Sequence, residues 1–364
     1  MQTERGSQGP RTDNRASQPV FQSAIDRWFH SPMRRRQAIQ ETGVGLAGAA
    51  AGFLGGQELQ RRVEQSLDFD DPIEIQIHRL ELKNKEGLGN KELRDRYTWL
   101  LAFWYAHDHS FGALSEPDDE YGAIKLSNAV TFIEDPNDSR LEGRENVAGW
   151  TTREEIFMKL TNLTEPYVYR TTGGTVTPLM EYRDTLVHEF THFITKEVRS
   201  AQVFDVIRQQ KSEFPNITDF KGSGFRVYFD PDPENSELPY TAHLVDFDEA
   251  ATELIANHYQ RTAGLATGLP SYPEANQADT DKSQIERTID TLEASLKIVG
   301  ISMDKFAELH KESDLDGLTI LLADKTDKVF ASDTEKIRYG LSIIDALRTT
   351  DRKFLGEYIG SIKG

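Results

Sequence analysis

The stretch Asp184–Glu197, DTLVHEFTHFITKE, constrains this chain more than any other. Leu186, Val187, Phe190, Phe193 and Ile194 recur at helical spacing and form a continuous apolar stripe. A segment patterned in this way is a helix with the stripe turned to a core. Thr177 as N-cap and Pro178 at the first helical position mark its start. The face beside the stripe carries His188 and His192, with Glu189 directly after the first histidine. An α-helix turns once in about 3.6 residues, so imidazoles four apart stack on one side and reach a common point.

The pattern H-E-x-x-H is that of a zinc hydrolase. His188 and His192 are the expected ligands of Zn2+, and Glu189, about 100° round the helix, is the expected general base. In such a site the metal acidifies water and polarises a carbonyl, and the glutamate takes the proton. The chain has no cysteine, which excludes disulfides, thiolate zinc sites, iron–sulfur clusters and a cysteine nucleophile. It also excludes the deformylase version of this motif, whose third ligand is a cysteine.

Zinc of this kind takes three protein ligands and keeps a fourth position open. A third histidine in the metzincin pattern would fall at position 198, with glycine at 195; those positions hold Val198 and Thr195. Downstream, FDEAATELIAN offers Glu249 and Glu253, four apart on one helix face. A capping box begun by Asp246 explains Glu249 structurally but not Glu253. His243 and His258 are rival third ligands.

Together the two stretches resemble the thermolysin-like gluzincin metallopeptidases, whose second motif is N-E-x-x-x-D. Asp248 stands for the asparagine, Glu249 for the ligand and Glu253 for the acid that orients a histidine, with glutamate here in place of aspartate. The resemblance spans roughly residues 178–260, although 56 residues separate His192 from Glu249. It implies that Glu249 completes the zinc site and that Glu253 hydrogen-bonds His188. It also implies an oxyanion donor outside the two helices, for which Tyr240 is the first candidate, His243 the second and Tyr259 the third. Peptide binding along a sheet edge beside the helix is implied too, with Thr172, Gly173 and Gly174 as edge candidates.

The rest of the chain supplies context. A net charge of −18 disfavours nucleic acid as a partner. A hydrophobic content of 37% with 28% charged residues describes a globular protein able to bury a core. Residues 1–36 run against the acidic trend, with seven arginines facing Glu4, Asp13 and Asp26, and read as a disordered basic tail. Arg34, Arg35 and Arg36 precede an uncharged run from Thr42 to Gln57, too short and glycine-rich to span a bilayer. This stretch, 33–56, is similar to a twin-arginine signal, so an exported or membrane-tethered protein that meets export machinery or membrane is expected, with a cytoplasmic location as the alternative. Met33 offers an alternative start.

Further on, PIEIQIHRLEL from residue 72 and AIKLSNAVTFIED at 123–135 read as strands, and 91–107 as a helix. Thr152 is expected to cap a short helix carrying Ile156 and Leu160, and 165–172 to be strand-like. His107 and His109 read as structural residues at a helix end. The expected fold class is α+β: a zincin-like catalytic domain over 67–264, with a small mixed sheet packed on the active-site helix, then a helical lobe over 265–364. Residues 1–66 precede it as a tail. The expected function is a zinc metallopeptidase acting on a peptide or protein substrate. The alternatives are a metal-binding interaction protein without catalysis and a zinc hydrolase of a non-peptide amide.

Overall fold

A computed structural model describes residues 72–84, 90–106, 122–142, 148–152, 154–160, 167–168, 175–198, 201–210, 219–230, 241–265 and 284–362. The tail and signal-like segment, Thr172, Gly173, Gly174, Tyr240, His107 and His109 lie outside these residues. The chain is mixed α+β, mostly helical with small sheets. Among the described residues no helix is long and apolar enough to cross a membrane.

Two compact units divide it. The first is Met1–Arg79 with Lys91–Ser127; the second is Leu80–Asn90 with Asn128–Gly364. In the first, the helix expected from Lys91 runs Lys91–Tyr105 and buries Tyr97, Leu100, Leu101, Trp104 and Tyr105. The second unit holds the histidine motif.

Three readings of the sequence are corrected. Residues 73–83 form helix α1, Ile73–Lys83, and not a strand. Ile73, Ile75 and Ile77 alternate, yet the buried positions are Gln76, Ile77 and Glu81, with Ile75 exposed, which is a helical spacing. Within 123–135, Gly122–Ala129 is helical and only Val130–Ile133 (β1) is extended. Thr152 does bond the backbone N–H of Glu155 through its hydroxyl, but the turn it closes leads into a strand, Ile156–Lys159 (β3). Every residue of that strand is buried, so sheet packing overrides the local cap signal.

β3 is the centre of a three-stranded sheet, parallel to β1 and antiparallel to Gly149–Thr151 (β2). Among the described residues, β1 and β2 are the outer strands of this sheet. Trp150 stacks on Phe157 across the pair at 5.0 Å. At Gly149 a Cβ would lie 3.0 Å from Thr185 Cγ2, so the missing side chain lets β2 lie close on the motif helix. Tyr167–Val168 (β4) pairs with Thr175–Val176 (β5) just before that helix.

A second sheet, β6-β7-β8-β9, is antiparallel: Glu197–Val198, Asp219–Ser223, Arg226–Asp230 and Thr241–His243. One face packs into the hydrophobic core through Phe220 and Val227, joined by Phe225 from the β7–β8 turn. From the C-terminal helices, Leu292, Phe306, Leu318, Ile344 and Leu347 belong to one cluster with Phe225, Phe247 and Leu254.

Candidate metal centre

The motif helix, α4 (Pro178–Phe193), starts where its cap residues direct, with Thr177 Oγ1 accepting the Met180 N–H at 3.3 Å. Leu179, Tyr182, Leu186, Val187 and Phe190 are fully buried on its apolar side. It packs against α6 (Val245–Thr262), whose Ala250 and Ala251 at the buried face allow close approach. α6 begins after Leu244, so Asp246 lies inside the first turn and is not the cap residue of a capping box.

His188, His192 and Glu249 come together between these two helices. His188 Nε2 is 3.1 Å from Glu249 Oε2 and 3.1 Å from His192 Nε2, and the third side, His192 Nε2 to Glu249 Oε2, is 3.4 Å. Three ligand atoms around a tetrahedral ion with bonds of about 2.0–2.1 Å stand about 3.3–3.4 Å apart. The three donor atoms are thus close to the spacing at which they could share one metal ion.

Behind the triangle, Glu253 Oε2 is 2.8 Å from His188 Nδ1, and the other oxygen of Glu253 accepts from Asn257 Nδ2 at 2.9 Å. A carboxylate only accepts, so Nδ1 carries a proton and Nε2 faces the triangle. His192 Nδ1 lies 3.3 Å from Thr252 Oγ1 and 3.6 Å from Asp248 Oδ2. Charge is tuned in opposite directions at the two rings. Burial works against a charged His188, but its bonds to Glu249 and Glu253 raise it well above the usual range. Burial lowers His192, and the nearby Arg226 and His188 lower it further. Glu249 would be raised by burial, and His188, His192 and Arg226 hold it far below the usual carboxylate range.

Glu189 is buried, and its Oε2 accepts from Thr151 Oγ1 at 2.6 Å. The same hydroxyl reaches the Glu189 carbonyl at 3.2 Å, so the end of β2 is pinned to the helix beside the general-base candidate.

The remaining sequence candidates are placed as follows. His243 pairs with Val227 in the β8–β9 register, on the face opposite Arg226 and Tyr228. His258 Nε2 is 3.6 Å from Asp304 Oδ1, and Tyr259 packs on the hydrophobic core, where burial pushes its phenol up to about 12. Thr195, at the metzincin glycine position, bonds Ser223 Oγ at 2.7 Å and ties the end of α4 to the β7–β8 hairpin.

Around the ligands stand further residues, most of which no motif marks. Arg226, from β8, pairs with both Asp248 and Glu249. Asp248 is fully buried; burial would raise it, but Arg226, His310 and His192 bring it down to about 2. His310 Nε2 stands 3.0 Å from Asp248 Oδ1 and 3.2 Å from Thr252 Oγ1. Thr151, Arg226 and His310 reach the site through tertiary contacts, and no spacing in the sequence marks them.

No protein-family model matches the chain, and comparison with curated proteins and with solved structures returns no match.

Proposed function

We propose that the protein is a zinc-dependent metallopeptidase of the gluzincin kind, with a zincin-like arrangement of sheet and helices around its site. The observation that carries this reading is the donor triangle of His188, His192 and Glu249, sized for a tetrahedral ion and backed by Glu253. A bound zinc supplies a Lewis acid for a carbonyl and brings the pKa of water toward about 7. The chain's own residues do the rest. Glu253 orients His188, and Thr151 holds the Glu189 carboxylate next to the ligand face, where it accepts the proton of the attacking water and returns it to the leaving amine. β2, an outer strand of its sheet, ends at this carboxylate, so an extended peptide is the substrate class that would lie along it and reach Glu189.

The test compares bound zinc and turnover of a peptide library for wild type and Glu189→Gln. Equal zinc in both proteins is expected, with turnover reduced by about 10²–10⁴-fold in the variant, the usual contribution of a general base. Zinc absent from metal-replete wild type would sink the reading. Zinc with no peptide turnover in the wild type would redirect it to a metal-binding protein or a hydrolase of a non-peptide amide.

A further inference from the structure

Arg226 divides the two oxygens of Glu249. Oε2 belongs to the donor triangle, whereas Oε1 is paired with Arg226 Nη2. The guanidinium is not a loose surface group. Its Nε lies 2.6 Å from Asp248 Oδ2 and its side chain is 21% exposed. Nη2 also stands 3.2 Å from His192 Nε2, at the rim of the triangle.

The backbone that carries Arg226 is itself locked. Gly224, in the turn two residues earlier, has φ +59°, and a Cβ there would sit 2.4 Å from Asp248 Oδ1 and 2.8 Å from His310 Nε2. Only glycine lets the hairpin come this close. The Gly224 N–H donates to Ser313 Oγ at 2.7 Å and the Phe225 N–H donates to Asp248 Oδ1 at 2.7 Å. Arg226 is thus delivered to a fixed point against the ligand carboxylate.

We propose that Arg226 is a positioning residue that keeps Glu249 a one-oxygen ligand and so preserves an open coordination position for water and substrate. This rests on the metal-binding part of the proposed function and not on the nature of the substrate. A carboxylate with both oxygens free can chelate an ion beside its bound water, raising the coordination number from four to five and occupying the place a substrate needs. An arginine neutralising one oxygen removes that option and also withdraws charge from the metal. Glutamine at 226 restores it. Lysine at 226 keeps the charge but cannot engage Asp248 and Glu249 in a fixed fork.

Cobalt(II) in place of zinc reports the number of ligands through its visible absorption, which is strong when four-coordinate and weak when five- or six-coordinate. The experiment loads full-length wild type, Arg226→Gln and Arg226→Lys with cobalt alone, and records absorption per bound ion alongside circular dichroism. Wild type is expected to absorb as a four-coordinate site, Arg226→Gln to lose about twofold or more, and Arg226→Lys to fall between. An ion pair with a merely structural role would change stability and leave the spectrum unmoved. Should the glutamine variant fail to fold, the lysine variant carries the same comparison. Identical spectra in a folded variant at equal cobalt occupancy overturn the role of Arg226 and leave the metal site standing. A wild type that binds no cobalt removes both.

Discussion

Glu253 is the residue whose contribution is most sharply defined. It accepts a hydrogen bond from the Nδ1–H of His188 and is in turn fixed by Asn257, so the ring is held in place by the chain's own residues. Glu253→Gln keeps the shape and removes the charge that makes His188 a strong donor. A loss of about 10–100-fold in zinc affinity is expected, the usual cost of removing such a partner, read by competition with a chromophoric chelator. Unchanged affinity would mean that the ring is held by the packing of α4 alone. At this scale the sequence was informative where chemistry and spacing coincide. His188, Glu189 and His192 sit within one helical turn, so helix periodicity alone puts them on one side. Glu249 and Glu253 became legible through the resemblance of their helix to a known second motif. Arg226 did not, because one arginine in an alternating strand has no local reason to differ from any solvated charge.

Elements were readable where their pattern was long and capped. Thr177 and Pro178 mark the start of α4, and the described helix begins there. The short elements were not, because their state is set by neighbours. α1 exposes Ile75 and buries Glu81, which pairs with the fully buried Arg183 of α4. A buried ion pair of that sort is invisible to hydrophobic periodicity. Close helix approach is equally hidden. Gly340 lies in Asp333–Thr349 (α10), which packs on Leu315–Asp324 (α9). A Cβ at Gly340 would be 2.3 Å from the Thr319 carbonyl oxygen and 2.6 Å from its Cα. These are backbone atoms that cannot step aside. Gly340→Ala gains about 1 kcal/mol of helix propensity but forces the helices apart, at about 1–3 kcal/mol for overpacking. Net destabilisation is expected, seen as a lower midpoint in denaturant with an unchanged slope; a raised midpoint would show that the two helices separate freely.

In the unit that holds the site, the ligands and their supports come from separated parts of the chain: α4, β8, α6 and His310 of Met303–Lys311 (α8). An ion bound there links these elements only in the folded state, so its removal lowers stability by mass action. At an ion concentration 100 times the dissociation constant this amounts to about 2.7 kcal/mol, or roughly 5–10 °C for a domain of this size. Thermal scans of the metal-replete protein with and without a strong chelator are expected to differ by that amount, with recovery when zinc is restored. Coincident transitions would mean that no ion contributes to the fold. The acidic composition, the absence of cysteine, the apolar stripe of α4 and the grouping of His188, Glu189 and His192 were determined by the sequence itself, because each is a property of composition or of helical geometry over a few residues. The meeting of Glu249 with the two histidines, the pinning of Glu189 by Thr151, the wedge of Gly224 and the division of Glu249 by Arg226 were decided only in the tertiary structure. They join residues tens of positions apart, and such contacts depend on how close two packed surfaces come, which no local pattern encodes.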